Sequence, residues 1–541
     1  MSTTAILIRQ FVIPRQSQRR ISNTSNRGTS TSPQRRSGVA PALNTSPKKF
    51  IDIPGPLALP MLRHSAHVLP RIGSFHHSVG LGLLEGLRQR YGDLVRLAKA
   101  SRSRPVLYVF DPEMMKEVYD SNVTESPHWD RSPLYEQRKT AINQSSVQGD
   151  QTKEIWCEIR TLLQDGGLLK NFDEAFDNIA ADVTRRLGDL RHLENALNEE
   201  LSTELYRWAL EIIGIMVFGI RLGCLDGAVH VPTAENRPRE KTPMDDDIPD
   251  TCSLSKRCID GLNPAERLVR CSLEIANSSY LVRSEGTLKT DSNTFNDALK
   301  AFDTHYSLTQ HFLMQSVQSL NIKNLRPEQV LIDRLRPLKN RVLPLAADVL
   351  LAGVDPLAQT ALSMLYQLSL HAAQQQRAHD QVAWSVASKD AGADCTELPY
   401  INACAKEALR LYPVTGGVVR RSTEDLVVAG YEIPAGVDIV LAHGVTSKEE
   451  KQWGRAKSFI PERWCNEGWE PLRASRAHPA ASMPFGENCP ATGVVAKMLA
   501  SLATRILDKY RLEWHGPAPN VVTPSVNKLQ PPFYFVLQNA S

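Results

Sequence analysis

The sequence predicts a mainly α-helical fold with small β-sheets. Three observations predict it. Helical periodicity dominates residues 151–225 and 329–375 and returns at 491–509. Strand-like alternation is confined to short stretches at 104–111 and 426–442. The composition is that of an ordinary globular chain, with 541 residues, 42% hydrophobic and 23% charged, which sets aside collagen, coiled coil and wholesale disorder. No run of apolar residues is long enough for a transmembrane helix, about 18 residues. Nine cysteines, an odd count spread over this length, point to reduced thiols rather than a disulfide scaffold.

In chain order, the first segment stands apart. Residues 1–51 hold Arg9, Arg15, Arg19, Arg20, Arg27, Arg35, Arg36, Lys48 and Lys49, and the first acidic residue is Asp52. The whole chain carries +4, so the leader carries +9 and residues 52–541 carry −5. Ile6, Ile8, Phe11 and Val12 can line one side of a short helix. An Arg-rich, Ser-rich, acid-free segment has the character of a mitochondrial presequence. The bland alternative is a disordered basic tail, or one that binds nucleic acid. The mildly acidic remainder offers no basic face for nucleic acid. Residues 1–51 are therefore read as a presequence, removed before Ile53-Pro54, and 52–541 as a single domain.

Lys48 to Pro60 is the entry to the fold, where Pro54-Gly55-Pro56 stops any helix. Residues 104–111 read as a strand and 112–120 as a short helix. The 151–225 block carries Leu205, Leu210, Ile213, Met216 and Val217 at helical spacing. Residues 226–290 change character, and their Pro- and charge-rich stretch reads as a loop or insertion. Pro337, Pro344 and Pro356 interrupt the 329–375 pattern, and Pro356 should kink it by removing a helix N–H. Residues 426–442 read as two short strands about a Gly-Pro turn. The 491–509 helix carries Val495, Met498, Leu502 and Ile506 on one face, with a strand at Tyr510–Trp514 after it.

The chemistry begins with Glu407 and Arg410, which share a helix face at a spacing that allows pairing. Alone the spacing is weak: Glu85 and Arg88 show it too, and an exposed pair is worth about 0–1 kcal/mol. Three downstream motifs add weight. They are Phe459-x-Pro461-Glu462-Arg463-Trp464, then Pro484-Phe485-Gly486, then Cys489-Pro490 at the head of a helix.

That order resembles the cytochrome P450 family, over about residues 50–541. The resemblance implies the P450 fold, with haem b held between the long central helix and the Cys-bearing loop and helix. It implies Cys489 as axial thiolate ligand, a strong donor that favours O–O cleavage, stabilised by the dipole of the helix it precedes. It implies a buried structural triad of Glu407, Arg410 and Arg463, in which a guanidinium that keeps its proton is forked to a carboxylate. Trp156 and Arg160 match one haem-propionate contact. Arg420 matches another, with Arg421 as the register alternative. In Ala352-Gly353-Val354-Asp355-Pro356-Leu357, Asp355 matches the acid of the family's proton relay.

Two departures are plain. The family reads Phe-Gly-x-Gly-x-Arg-x-Cys, whereas only four positions separate Phe485 from Cys489; about three residues are absent, among them a glycine and the arginine. The relay hydroxyl is replaced by Pro356, and Thr360 lies more than a turn away.

The presequence, Glu204–Leu225 and the Ala-Gly-Val-Asp stretch resemble the mitochondrial, ferredoxin-fed class, with some likeness to insect members of ecdysteroid synthesis. This implies a monooxygenase on the matrix side of the inner membrane, in peripheral contact with it, acting on a lipophilic steroid- or sterol-like substrate. Electrons would come from a mitochondrial ferredoxin and its reductase. Lys406 matches one lysine offered to the ferredoxin, and the other position is Asn402. Residues 226–290 fall on the variable substrate-access region. The alternatives are a haem-thiolate isomerase or peroxide-using enzyme, and a non-catalytic relative.

Overall fold

The structure, a computed structural model, describes residues 46–56, 80–97, 104–125, 159–191, 196–197, 200–226, 263–283, 293–321, 323–390, 398–465, 470–486, 489–522 and 526–540. The compact unit runs over Pro47–Ser541. Its first strand, β1 (Lys48–Lys49), pairs in parallel with β8 (Tyr431–Ile433). The fold therefore begins ahead of the boundary expected at 52: both lysines counted with the leader belong to a sheet.

The helices are α1 (Leu81–Tyr91), α2 (Pro112–Asp120), α3 (Gly166–Lys170), α4 (Asp173–Asp189), α5 (Glu200–Phe218), α6 (Pro264–Arg283), α7 (Asn293–Ser319), α8 (Val330–Leu335), α9 (Val342–Leu370), α10 (Ala372–Asp390), α11 (Pro399–Leu411), α12 (His443–Thr446) and α13 (Thr492–Lys509). The strands are short. β2 (Leu94–Leu97), β3 (Val106–Val109), β4 (Thr124–Glu125), β6 (Val418–Ser422) and β9 (Asp438–Leu441) form one sheet in the order β2-β3-β9-β6-β4. β7 (Leu426–Val428) joins β8 and β1, while β10 (Tyr510–Trp514), β13 (Phe535–Asn539) and β5 (Ala196–Leu197) make a third sheet. The hairpin β11 (Val521–Val522) and β12 (Lys528–Leu529) stands alone.

Local chemistry explains these elements. Asp111 caps α2 by accepting from the N–H groups of Glu113 and Met114, and Pro112 occupies the first helical position, where no N–H is needed. In α5 the apolar positions close on all sides: Leu205, Leu210, Ile213, Met216 and Val217 are buried, so the helix lies inside the core. Glu211 on the same helix accepts from Arg221 Nε and from the N–H groups of Leu222, Gly223 and Cys224, pinning the turn that leaves α5. Residues 426–442 hold three strands rather than two, because Ala429 and Gly430 at positive φ close an extra turn between β7 and β8. The Pro- and charge-rich stretch read as a loop, residues 232–250, lies outside the described residues; further along the same 226–290 region comes helix α6. Its Arg267 and Arg270 are half-buried while Leu268, Val269 and Cys271 pack inward, a helical alternation that the charge-rich text around it masks.

α9 has the length and apolarity of a membrane span, but it is the core helix, buried among α5, α11 and β10. The interruption at Pro337 is real, where a 3-10 segment, Arg336–Arg341, precedes the helix. Pro344 falls in its first turn and is tolerated there. The helix runs through Pro356 without a break, because packing on both flanks outweighs one lost hydrogen bond. Gly353 allows close approach of α5, since a Cβ there would meet Ile213 Cδ1 at 2.9 Å.

On α13, Met498, Leu502 and Ile506 are buried and Val495 half-buried. Lys497 pairs with Asp173 at 2.6 Å, and Arg505 Nε with Asp177 at 2.8 Å, binding α13 to α4.

Candidate functional site

A buried polar cluster with its donors and acceptors paired lies where α11 meets the Pro461–Trp464 turn. Glu407 and Arg410 have no exposed surface and Arg463 has 3%. Arg410 forks onto Glu407 through Nε at 2.9 Å and Nη2 at 2.8 Å, and Arg463 Nε donates to the same carboxylate at 3.0 Å. The remaining donors of Arg410 go to the carbonyls of Ser447, Ala456 and Ser458, so all five of its N–H groups are used. Two further donors to Glu407 lay outside the expected triad: Trp464 Nε1 at 2.9 Å and the Ile460 N–H at 3.1 Å. Trp464 directly follows Arg463, which was the available signal. The decoy at Glu85 and Arg88 behaves differently, since Arg88 turns to Asp93 at a partly exposed site.

Lys406, beside Glu407, faces solvent, its Nζ 6.0 Å from the centre of the Trp464 ring. The buried clamp thus supports an exposed cation from behind.

Phe485 packs on Leu409, Val414 and Val526, anchoring the turn before the candidate ligand. Gly486 takes φ +58°, and a Cβ there would press on Val418 at 3.3 Å, so the turn favours glycine. Glu487 and Asn488 lie outside the described residues. Cys489 is a free thiol ahead of α13. Burial pushes its thiol pKa up; the Ala491 N–H and the Arg160 guanidinium draw it back down. A thiol with a backbone donor at the head of an 18-residue helix, and a cation nearby, is the donor set a metal thiolate needs. The residues present therefore fit an iron ligand.

The other residues are placed unequally. Trp156 lies outside the described residues. Arg160 sits in a helical turn near Cys489. Arg420 shares a strand face with Val418, the neighbour of Gly486, and donates to the Thr124 carbonyl at 2.9 Å and to its hydroxyl at 3.0 Å. Arg421 points to the opposite face and pairs with Asp438 at 2.6 Å.

Asp355 is 7% exposed, and both oxygens are engaged. The Tyr206 hydroxyl donates to Oδ1, and Lys528 Nζ lies 3.2 Å from Oδ2. Burial, then the Asp355 charge, raise the Tyr206 pKa and keep the phenol protonated. Thr360, which lacks the spacing of the relay hydroxyl, spends its hydroxyl on the Pro356 carbonyl at 2.7 Å. Tyr206 gave no signal, being one more ring on an apolar helix. Lys528 did: it is the single Lys, Arg, Asp or Glu between Glu513 and Ser541.

Comparison with known proteins bears on what this arrangement is. The sequence pattern described as Cytochrome P450 matches residues 66–536. A Drosophila melanogaster protein named probable cytochrome P450 49a1 is 23% identical over 520 residues, covering 91% of this chain and 83% of the relative. Probable cytochrome P450 301a1, mitochondrial, of the same fly is 24% identical over 88% of this chain and 84% of its own length. The mitochondrial 25-hydroxyvitamin D-1 alpha hydroxylase of Rattus norvegicus is 28% identical over 70% of this chain and 73% of its own.

Proposed function

Since the chain belongs to the cytochrome P450 family, we propose that it is a mitochondrial monooxygenase that hydroxylates a steroid- or sterol-like substrate with electrons from a ferredoxin. The observation that carries the reading is the family match over residues 66–536 together with the free thiol of Cys489 placed directly ahead of α13. Haem b held by a cysteine thiolate would supply oxygen activation and O–O cleavage. The chain's own residues take distinct parts. Cys489 provides the thiolate. Arg160 and Arg420 offer cations for the propionates, and the face that Arg420 shares with Val418 favours it over Arg421. Trp156 is assigned beside Arg160 by its motif. Glu407, Arg410 and Arg463 brace the wall carrying exposed Lys406, the residue offered to an acidic ferredoxin. Asp355, on α9 itself, is the acid assigned to proton delivery.

Names of relatives support the compartment and the substrate class: several are called mitochondrial, and one acts on 25-hydroxyvitamin D. The acid-free leader supports import to the matrix, with the folded domain in peripheral contact with the inner membrane. Because β1 is part of a sheet, removal of the leader falls upstream of Lys48.

A second reading has its own observation. Pro356 replaces the relay hydroxyl, as suits a haem-thiolate isomerase or peroxide-using enzyme. Reconstitution decides between them: the protein with a mitochondrial ferredoxin, its reductase and oxygen should hydroxylate a sterol or secosteroid. Turnover of a lipid hydroperoxide without reductant, and none with ferredoxin, would replace the first reading by the second.

A further inference from the structure

We infer that Lys528 is a positioning residue for Asp355, standing in for the hydroxyl that position 356 cannot carry. This rests on the monooxygenase reading. Three elements meet at the carboxylate. From α5 the Tyr206 hydroxyl takes Oδ1; from β12 the Lys528 ammonium takes Oδ2 at 3.2 Å. One turn along α9, Gln359 closes the circle: its Nε2 lies 3.5 Å from the Tyr206 hydroxyl, and its Oε1 accepts from the Leu529 N–H at 3.3 Å. Each carboxylate oxygen thus has one fixed donor, and the donors come from different directions. Tyr206 is 3% exposed and Lys528 8%.

The neighbouring residue explains the need. Pro356 removes a helix N–H and brings no side-chain hydroxyl of its own next to Asp355 in the helix. A carboxylate there has no partner on its own helix to orient it, since Thr360 is turned to the Pro356 carbonyl. Orientation must come from outside, and the hairpin supplies it. Asn527 fixes the strand by donating its amide N–H to the Val414 carbonyl at 2.8 Å and its side-chain amide to the Pro413 carbonyl at 2.5 Å. Those bonds aim Lys528 at α9. Burying a lysine is costly unless it is paired, so the tie also selects the hairpin's register.

The test uses the full-length, haem-loaded protein and four variants: Lys528→Met, Lys528→Arg, Asp355→Asn and the double Lys528→Met with Asp355→Asn. Product formed per electron, kcat and KM are measured, together with amide exchange at Leu529. A positioned proton-transfer group is typically worth about 10²–10⁴-fold. Lys528→Met should lower kcat and product per electron by about tenfold, a fraction of that, with KM unchanged. Lys528→Arg should recover most of it. Adding Lys528→Met to Asp355→Asn should cost nothing more, and Leu529 exchange should quicken whenever the pair is broken from either side. If Lys528→Met raises KM alone and leaves product per electron at the parent value, Lys528 merely holds the hairpin and the inference is overturned. Fully additive losses would overturn it too. A parent protein that folds and exchanges normally, yet makes no oxygen-dependent product, overturns the monooxygenase reading instead, and this inference with it.

Discussion

At position 407 one carboxylate accepts from two guanidinia, an indole and a backbone N–H, with no water-exposed surface. Glu407→Gln removes the charge and leaves two buried cations facing a neutral amide. Breaking a buried pair from one side costs about 3–5 kcal/mol, so denaturant unfolding should show a loss of that order. A loss under about 1 kcal/mol would mean that the backbone carbonyls around Arg410 and Arg463 carry the cluster alone. His443 makes a pH prediction. Its Nδ1 meets the Ala480 carbonyl at 2.7 Å and its Nε2 the Tyr119 hydroxyl at 2.7 Å, and burial draws its pKa from 6.5 down to about 4. Between those values the unfolded chain takes up a proton that the fold refuses. Stability should therefore be full above pH 6.5 and fall as pH drops toward 4, by about 3 kcal/mol at the limit. His443→Gln should flatten that slope in unfolding curves taken across the window. Residues of this kind were partly legible. The triad could be found because its members recur in an ordered set of short motifs. His443 could not, because nothing local separates a buried histidine from an exposed one.

Among the elements, α9 shows where periodicity succeeds and where it stops. Its apolar residues announced a core helix, and burial along most of its length agrees. A kink was expected at Pro356; the helix is continuous through that residue, with the surrounding helices holding both flanks. Pro356→Thr restores one N–H and one hydroxyl. An interior proline costs about 3 kcal/mol relative to alanine, so the variant should unfold later, and in an oxygen-dependent enzyme it should raise product per electron. A protein that unfolds later with that ratio unchanged would show that no hydroxyl is needed at position 356. The hairpin β11–β12 was the least legible element, because two residues per strand give no alternation to read. Its lone charge, Lys528, passed unread and is the one local feature that could have marked it. α6, whose Asn263 Oδ1 accepts from the Glu266 N–H at 2.8 Å, drew no reading of its own, because it shares the 226–290 region with a Pro- and charge-rich stretch.

On the scale of the whole molecule, a helical core holds α9, and the β-sheets surround the chain's entry and its final strands. The order of motifs along the sequence survives as proximity in space. The Pro461–Trp464 turn meets α11, and Phe485 meets Leu409 at the end of the same helix. Sequence order could announce that assembly, but not the path of a loop shortened by about three residues before Cys489. Oxygen activation therefore depends on whether that loop delivers the Cys489 thiolate to iron. The direct measurement is the carbon-monoxide difference spectrum of the reduced protein, with Cys489→Ser alongside. Thiolate ligation predicts an absorption band at the position of thiolate-ligated haem in the parent protein and its loss in the variant. A haem-loaded parent protein whose band lies instead at the position of a neutral thiol or imidazole ligand, unchanged by Cys489→Ser, would contradict it.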